Sequence, residues 1–105
     1  MTKTLHKPTA KTKTVPYDVA EQLRTPEEMA EYLNAWLTEA PEDAAGIARA
    51  LGDIARAKGM SQVARDAGLS RESLYKALSE SGNPSFATVL KVAHALGVRL
   101  HAEAA

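Results

Sequence analysis

The sequence contains no cysteine. This excludes a disulfide framework and any thiolate metal site, and it fits a reducing compartment. Aromatic residues are scarce, with Tyr17, Tyr32, Trp36, Tyr75 and Phe86 making up 5% of the chain. No apolar run approaches the ~20 residues that a membrane-spanning helix needs. The N-terminus is basic, yet no apolar stretch follows Lys3, so it does not read as a secretory leader. The expectation is a soluble, cytoplasmic protein with no membrane partner. No glycine-rich phosphate loop, nucleophile elbow or metal-ligand pair occurs. His6, His94 and His101 lie far apart in the sequence, and His94 reads as a structural or surface histidine. Neither an enzyme, a cofactor nor a metal site is expected.

Net charge is also lacking, with 13 basic and 13 acidic residues, but the charges are zoned. Residues 1–16 carry Lys3, Lys7, Lys11 and Lys13 and no acid. Residues 17–45 carry eight acids (Asp18, Glu21, Glu27, Glu28, Glu31, Glu39, Glu42 and Asp43) against Arg24 alone. From residue 46 onward bases again exceed acids, eight to five. The order basic, acidic, basic suggests two different partners; the alternative is that the acidic run is a solvated helix face.

At 105 residues and 45% hydrophobic, the chain can build one modest core. Its Ala, Leu, Ile and Val favour helices. Residues 1–16 are Thr-, Lys- and Pro-rich without periodicity and read as a flexible basic arm, either a plain tail or a DNA-contacting one. Residues 17–105 read as a single helical domain, with Tyr17 to Leu23 a short junction. Thr25-Pro26-Glu27-Glu28 is a helix start, followed by Met29, Leu33, Trp36 and Leu37 at core spacing. A second helix starts near Pro41-Glu42-Asp43, buries Ile47, Leu51, Ile54 and Ala55, and stops at Gly59. Ser61 and Ser70 are the expected caps of two short helices separated by Gly68. After the breaker-rich stretch 79–84, Ser85 caps a last helix that buries Phe86, Val89, Leu90, Ala93 and Leu96 and closes at Gly97. Alternation over 98–104 predicts a short strand, paired near Val15 or across a dimer.

Residues 61–78 form the pattern that carries a function. Two short helices can cross steeply only if the first offers a small residue at the crossing, here Ala64. The turn between them needs positive φ, which Gly68 supplies. Val63, Ala67, Leu69, Leu74 and Ala77 or Leu78 then face the core. This is a helix-turn-helix, and its second helix is the one that enters the DNA major groove. Opposite Leu74 and Leu78 stand Glu72 and Lys76, flanked by Ser73 and Tyr75, with Arg71 in the first turn. Arg71 can take a guanine bidentately and Glu72 can accept from a cytosine amine. Lys76 and Tyr75 suit phosphates or thymine methyls. A surface ion pair is the other reading of Glu72 and Lys76. Gln62, Ser61, Ser70 and Ser85 sit at helix N-termini, where backbone N–H groups hold phosphate, though plain capping explains the serines equally well.

These residues lie within a wider resemblance over about residues 17–101. It rests on Tyr17-Asp18, Ala30-Glu31-Tyr32-Leu33-Asn34-Ala35, Ala50-Leu51-Gly52-Asp53-Ile54-Ala55 and Gly59-Met60-Ser61-Gln62. Gly68 to Tyr75, Gly82-Asn83-Pro84 and Leu96 to Leu100 complete it. The chain resembles the HigA-like antitoxins, the probable addiction module antidote group with a lambda-repressor-like (Xre/Cro-type) helix-turn-helix. The resemblance implies an all-α five-helix bundle, a homodimer on operator DNA, repression of its own operon, and a RelE-like mRNA-degrading toxin as partner. A stand-alone phage- or plasmid-type repressor without a toxin, and an interaction domain that no longer binds DNA, are the competing readings. The acidic helix at 27–43 would complement a basic, RNA-binding toxin.

Overall fold

Five α-helices follow a short 3-10 turn in the computed structural model, whose described residues are 19–79 and 81–105. The turn is Val19–Gln22 and the helices are α1 (Pro26–Glu39), α2 (Ala44–Lys58), α3 (Met60–Ala67), α4 (Arg71–Ala77) and α5 (Phe86–Leu96). The fold is all-α and consistent with a domain of helix-turn-helix type, and the expected basic arm lies outside the described residues.

The helix ends follow from local chemistry. Thr25 Oγ1 accepts the Glu28 amide at 3.1 Å, and Glu28 Oε1 accepts the amides of Thr25 at 3.1 Å and Arg24 at 2.8 Å. This capping box satisfies donors that the first turn cannot pair. The Arg24 amide, ahead of the Arg24 charge, holds the Glu28 carboxyl below its ordinary value. Asp43 caps α2 by accepting the Gly46 amide at 2.9 Å. Two of the eight acids of the acidic zone are therefore occupied in ending helices rather than in meeting a partner. Glu27, Glu31, Glu39 and Glu42 are exposed.

The core lies around α3, which packs against α2, α4 and α5. Ile54, Val63, Leu74 and Val92 are completely buried and Leu96 nearly so, one or two from each of the last four helices. Met29, Leu33 and Leu23 close the core from the side of α1 and the 3-10 turn. A polar bridge ties α1 to α2: the Tyr32 hydroxyl donates to Asp53 Oδ2 at 2.8 Å, and Arg56 donates to Asp53 Oδ1 at 3.0 Å. The Arg49 guanidinium stands 5.5 Å from the centre of the buried Trp36 ring.

The structure corrects several expectations. The strand over 98–104 is not formed: among the described residues there is no strand, and the proposed pairing partner Val15 lies outside them. Val98 and Leu100 are instead partly buried against the helical core, which accounts for their apolar character without sheet pairing. Ser61 does not cap α3. That helix starts two residues earlier with Gly59 as its N-cap, because Gly59 at φ 116° lets α2 stop and α3 start across a single residue. Leu37, Phe86 and Leu90 are exposed rather than buried, at 39%, 70% and 46%. Leu37 lies about 80° round the helix from Met29, on the edge of the buried stripe. On α5 the buried residues are Val92, Ala93, Ala95 and Leu96, and Phe86 and Leu90 stand about 120° and 160° round the helix from Val92.

Burial pushes the Tyr32 hydroxyl above the ordinary tyrosine range; the neighbouring Asp53 charge adds to the shift, while Trp36 opposes it. The neutral phenol is thus favoured by folding. Its contribution is fully present below the unfolded value of about 10 and is lost as pH rises towards the higher folded value. Thermal unfolding followed from neutral pH to about pH 11 should show stability falling above about pH 10, with a smaller fall in Tyr32→Phe. At neutral pH that variant should lose about 1 kcal/mol with its hydrogen bond to Asp53.

Candidate nucleic-acid interface

The segment from α3 to α4 is built on one turn. Gly68 ends α3 in the left-handed conformation at φ 73°. Its amide bonds to Arg65 O at 3.2 Å, and the Leu69 amide reaches back to Ala64 O at 2.8 Å. This pair of bonds closes the last turn of α3 and sends Leu69 back against the core. Ser70 then starts α4: its Oγ accepts the Ser73 amide at 3.0 Å and donates to Ser73 Oγ at 2.9 Å. Val63, Ala64 and Ala67 of α3 and Leu74 and Leu78 at the end of α4 are buried, and Ala77 is half-buried. The small Ala64 thus occupies the packed crossing that the sequence pattern requires.

With Leu74 and Leu78 inward, Arg71, Glu72, Ser73, Tyr75 and Lys76 all stand exposed on the other side of α4. Ser70 is exposed beside them, but its hydroxyl is already engaged in capping, so of its two expected roles capping is the one on view. The Arg71 guanidinium lies 5.3 Å from the centre of the Tyr75 ring, and its Nη2 is 3.5 Å from the Tyr75 hydroxyl. No ion pair joins Glu72 to Lys76 among the described residues, so the two remain separately available. Gln62 lies on the exposed side of α3 in a polar chain. Its Nε2 donates to both Asp66 carboxylate oxygens at 3.0 Å, and its Oε1 accepts from Arg65 at 3.0 Å. Arg65 is an exposed cation that the sequence reading did not single out; its signal was the three-residue spacing from Gln62 along one helix face.

The surface is polar and mildly basic. Its charges are Arg65, Arg71 and Lys76 against Asp66 and Glu72. Among the described residues no group of three or more His, Cys, Asp or Glu could hold a metal ion. No helix there is long and apolar enough to cross a membrane. His94 is exposed on α5, as a surface histidine.

The all-α domain thus presents the outer face of a short, glycine-linked helix pair. Comparison with known protein families identifies one. The family described as "probable addiction module antidote protein" matches residues 13–104. A Haemophilus influenzae (strain Rd) protein called uncharacterised is 56% identical over 87 residues, covering 83% of this chain and 88% of the relative. No solved structure matches. The chain belongs to the probable addiction module antidote family. An addiction-module antidote is an antitoxin, so its role lies in a toxin–antitoxin module, its partner is a toxin, and it is not an enzyme.

The division of labour along α4 is measurable in the free protein. Ser70→Ala removes the cap and should lower stability by about 1 kcal/mol. Arg71→Ala, Glu72→Ala and Lys76→Ala should each stay within about 0.5 kcal/mol of the parent in denaturant titrations.

Proposed function

We propose that this chain is the antitoxin of a type II toxin–antitoxin module. It binds and neutralises a RelE-like mRNA-degrading toxin in the cytoplasm, and as a homodimer it represses its own operon by sequence-specific DNA binding. The observation that carries the DNA half is the outer face of α4. Five polar residues in a run of six (Arg71, Glu72, Ser73, Tyr75 and Lys76) are exposed there around one fully buried anchor, Leu74. Base readout needs long polar side chains at the N-terminal end of a rigidly held helix. Arg71 suits guanine and Glu72 a cytosine amine. Lys76, Tyr75 and the exposed Gln62 and Ser73 suit phosphates, sugar edges or a thymine methyl. The stacking of Arg71 on Tyr75 holds the guanidinium extended along the helix surface, which lowers the entropy lost when it meets a base. Ser70 supports this face from within, as its cap.

The toxin half is supported by the family and by charge. A nuclease that grips RNA presents a basic surface, and Glu27, Glu31, Glu39 and Glu42 line an exposed acidic side of α1 and its end. Such a complex should weaken steeply with salt; a salt-insensitive affinity would remove α1 from the interface.

Two experiments test the proposal. Co-expression with the protein encoded next to this chain should relieve growth arrest caused by that neighbour alone, and the pair should co-purify. A harmless, non-binding neighbour would leave a stand-alone repressor. In gel-shift titrations on the promoter DNA of its own operon, Arg71→Ala should lose about 10- to 100-fold in affinity and relax the preference at one base pair. Lys76→Ala should weaken all sequences alike and flatten the salt dependence by roughly one phosphate's worth. Unchanged binding by both variants would take the DNA role away from α4.

A further inference from the structure

The two ends of α4 are held by different means. Its start is fixed locally, by the left-handed turn at Gly68 and the cap at Ser70. Its end runs into Leu78, the buried C-cap, and there it meets two glycines from elsewhere in the chain. On α2, a Cβ at the half-buried Gly52 would stand 3.1 Å from the Leu78 carbonyl oxygen and 3.6 Å from Leu78 Cβ. In the loop after α4, Gly82 lies against the carbonyl oxygens of Lys76 and Ala77, and a methyl there would overlap both. Ser79 Oγ also donates to the Lys76 carbonyl at 3.0 Å. Neither Gly52 nor Gly82 has positive φ, so it is room, not backbone conformation, that calls for them. Glycine inside a helix is unfavourable, and at residue 52 the space a side chain would fill is taken by the end of α4.

We propose that Gly52 is a positioning residue for DNA reading: it sets how deeply the C-terminal end of α4 seats on α2, and so where Lys76 stands against the phosphates. The assignment rests on the DNA half of the proposed function. Gly52 itself touches no DNA and acts through Leu78. The group it meets is a backbone carbonyl, which cannot rotate aside as the tip of a long side chain can. A methyl at residue 52 therefore moves the end of α4 outward by a few tenths of an ångström. The start of the helix stays tied by Ser70 and by Leu69 against the core, so α4 tilts about its first turn. The displacement is smallest at Arg71 and largest from Lys76 to Leu78. Gly82, packed on the Lys76 and Ala77 carbonyls, makes the following loop move with them.

Such a tilt separates binding from stability. Hydrogen bonds weaken as distance and angle leave their preferred values, so a contact can be lost through a shift far too small to unfold the domain. Stability changes little because the methyl acts in two opposite ways. Alanine is the better helix former, and the close approach to Leu78 works against it.

Gly52→Ala should keep the parent's helical circular dichroism and a Tm within about 5 °C. In NMR spectra of the free protein its amide shifts should change at residues 76–79 and hold at residues 70–73. In gel-shift titrations on the promoter DNA of its own operon it should lose about 3- to 10-fold in affinity, with the preference at the base pair read by Arg71 retained. Gly52→Ala combined with Lys76→Ala should bind within about 2-fold of Lys76→Ala alone, because both changes remove the same contact. Parent-like promoter binding by Gly52→Ala, losses that simply add in the double variant, or amide shifts that miss residues 76–79 each overturn the proposal. A large fall in Tm with binding lost only in step with the unfolded fraction overturns it too, and leaves Gly52 a packing residue. A parent that binds no promoter DNA removes the DNA reading itself, and the role of Gly52 with it.

Discussion

The burial of α3 is the constraint on which the rest of the domain rests. Eight residues are too few to hold a helix in water on their own. What keeps α3 helical is contact on three sides, through Val63, Ala64 and Ala67, with α2, α4 and α5. The small side chain at residue 64 allows the close crossing, and Gly59 and Gly68 allow the chain to arrive and leave within one or two residues. The direction of α4 follows from those joints. Any movement of α3 would re-aim every polar side chain that α4 presents.

Attachment to the core and exposure to solvent fall to different atoms on α4. Leu74 and the cap at Ser70 attach it, whereas the side chains of Arg71, Glu72, Tyr75 and Lys76 contribute almost nothing to the core. The acidic zone shows a similar partition. Glu28 and Asp43 end helices and Asp53 bridges α1 to α2, while Glu27, Glu31, Glu39 and Glu42 remain on the surface. Net neutrality of the whole chain thus conceals two faces of opposite character, one acidic along α1 and one mildly basic across α3 and α4.

Much of the architecture was legible because its signals are short-ranged. Thr25 with Glu28, Ser70 with Ser73, Ser85 with Thr88, and the left-handed Gly68 and Gly97 each act within three or four residues, and each ends a helix where the sequence placed the end. The misreadings have a common cause: periodicity gives the width of an apolar face but not which part of it finds a neighbour. Leu37 lies at the edge of its apolar stripe, and Phe86 and Leu90 lie well round α5 from its buried side, while Val92 and Ala95 were overlooked and are buried. Alternation over 98–104 suggested a strand, but alternation needs a partner strand, and Val98 and Leu100 found helices instead. Exposure of Arg71 to Lys76 followed from the positions of Leu74 and Leu78. The Gln62–Arg65–Asp66 chain and the stacking of Arg71 on Tyr75 depend on side-chain rotamers, which spacing alone does not encode.

The position of α5 in chain order has a consequence for synthesis. Connections between successive helices are short, so α1 to α4 can assemble in order as they leave the ribosome. Yet Val63 and its neighbours on α3 stay partly wetted until α5, made after them, docks against them and Lys58 donates to the carbonyl of Ala95 at 3.0 Å. A nascent chain halted before Leu96 therefore holds α3, and with it α4, only loosely. The surface across α3 and α4 is completed in one late step, and unfinished chains are left open to proteolysis rather than half-competent.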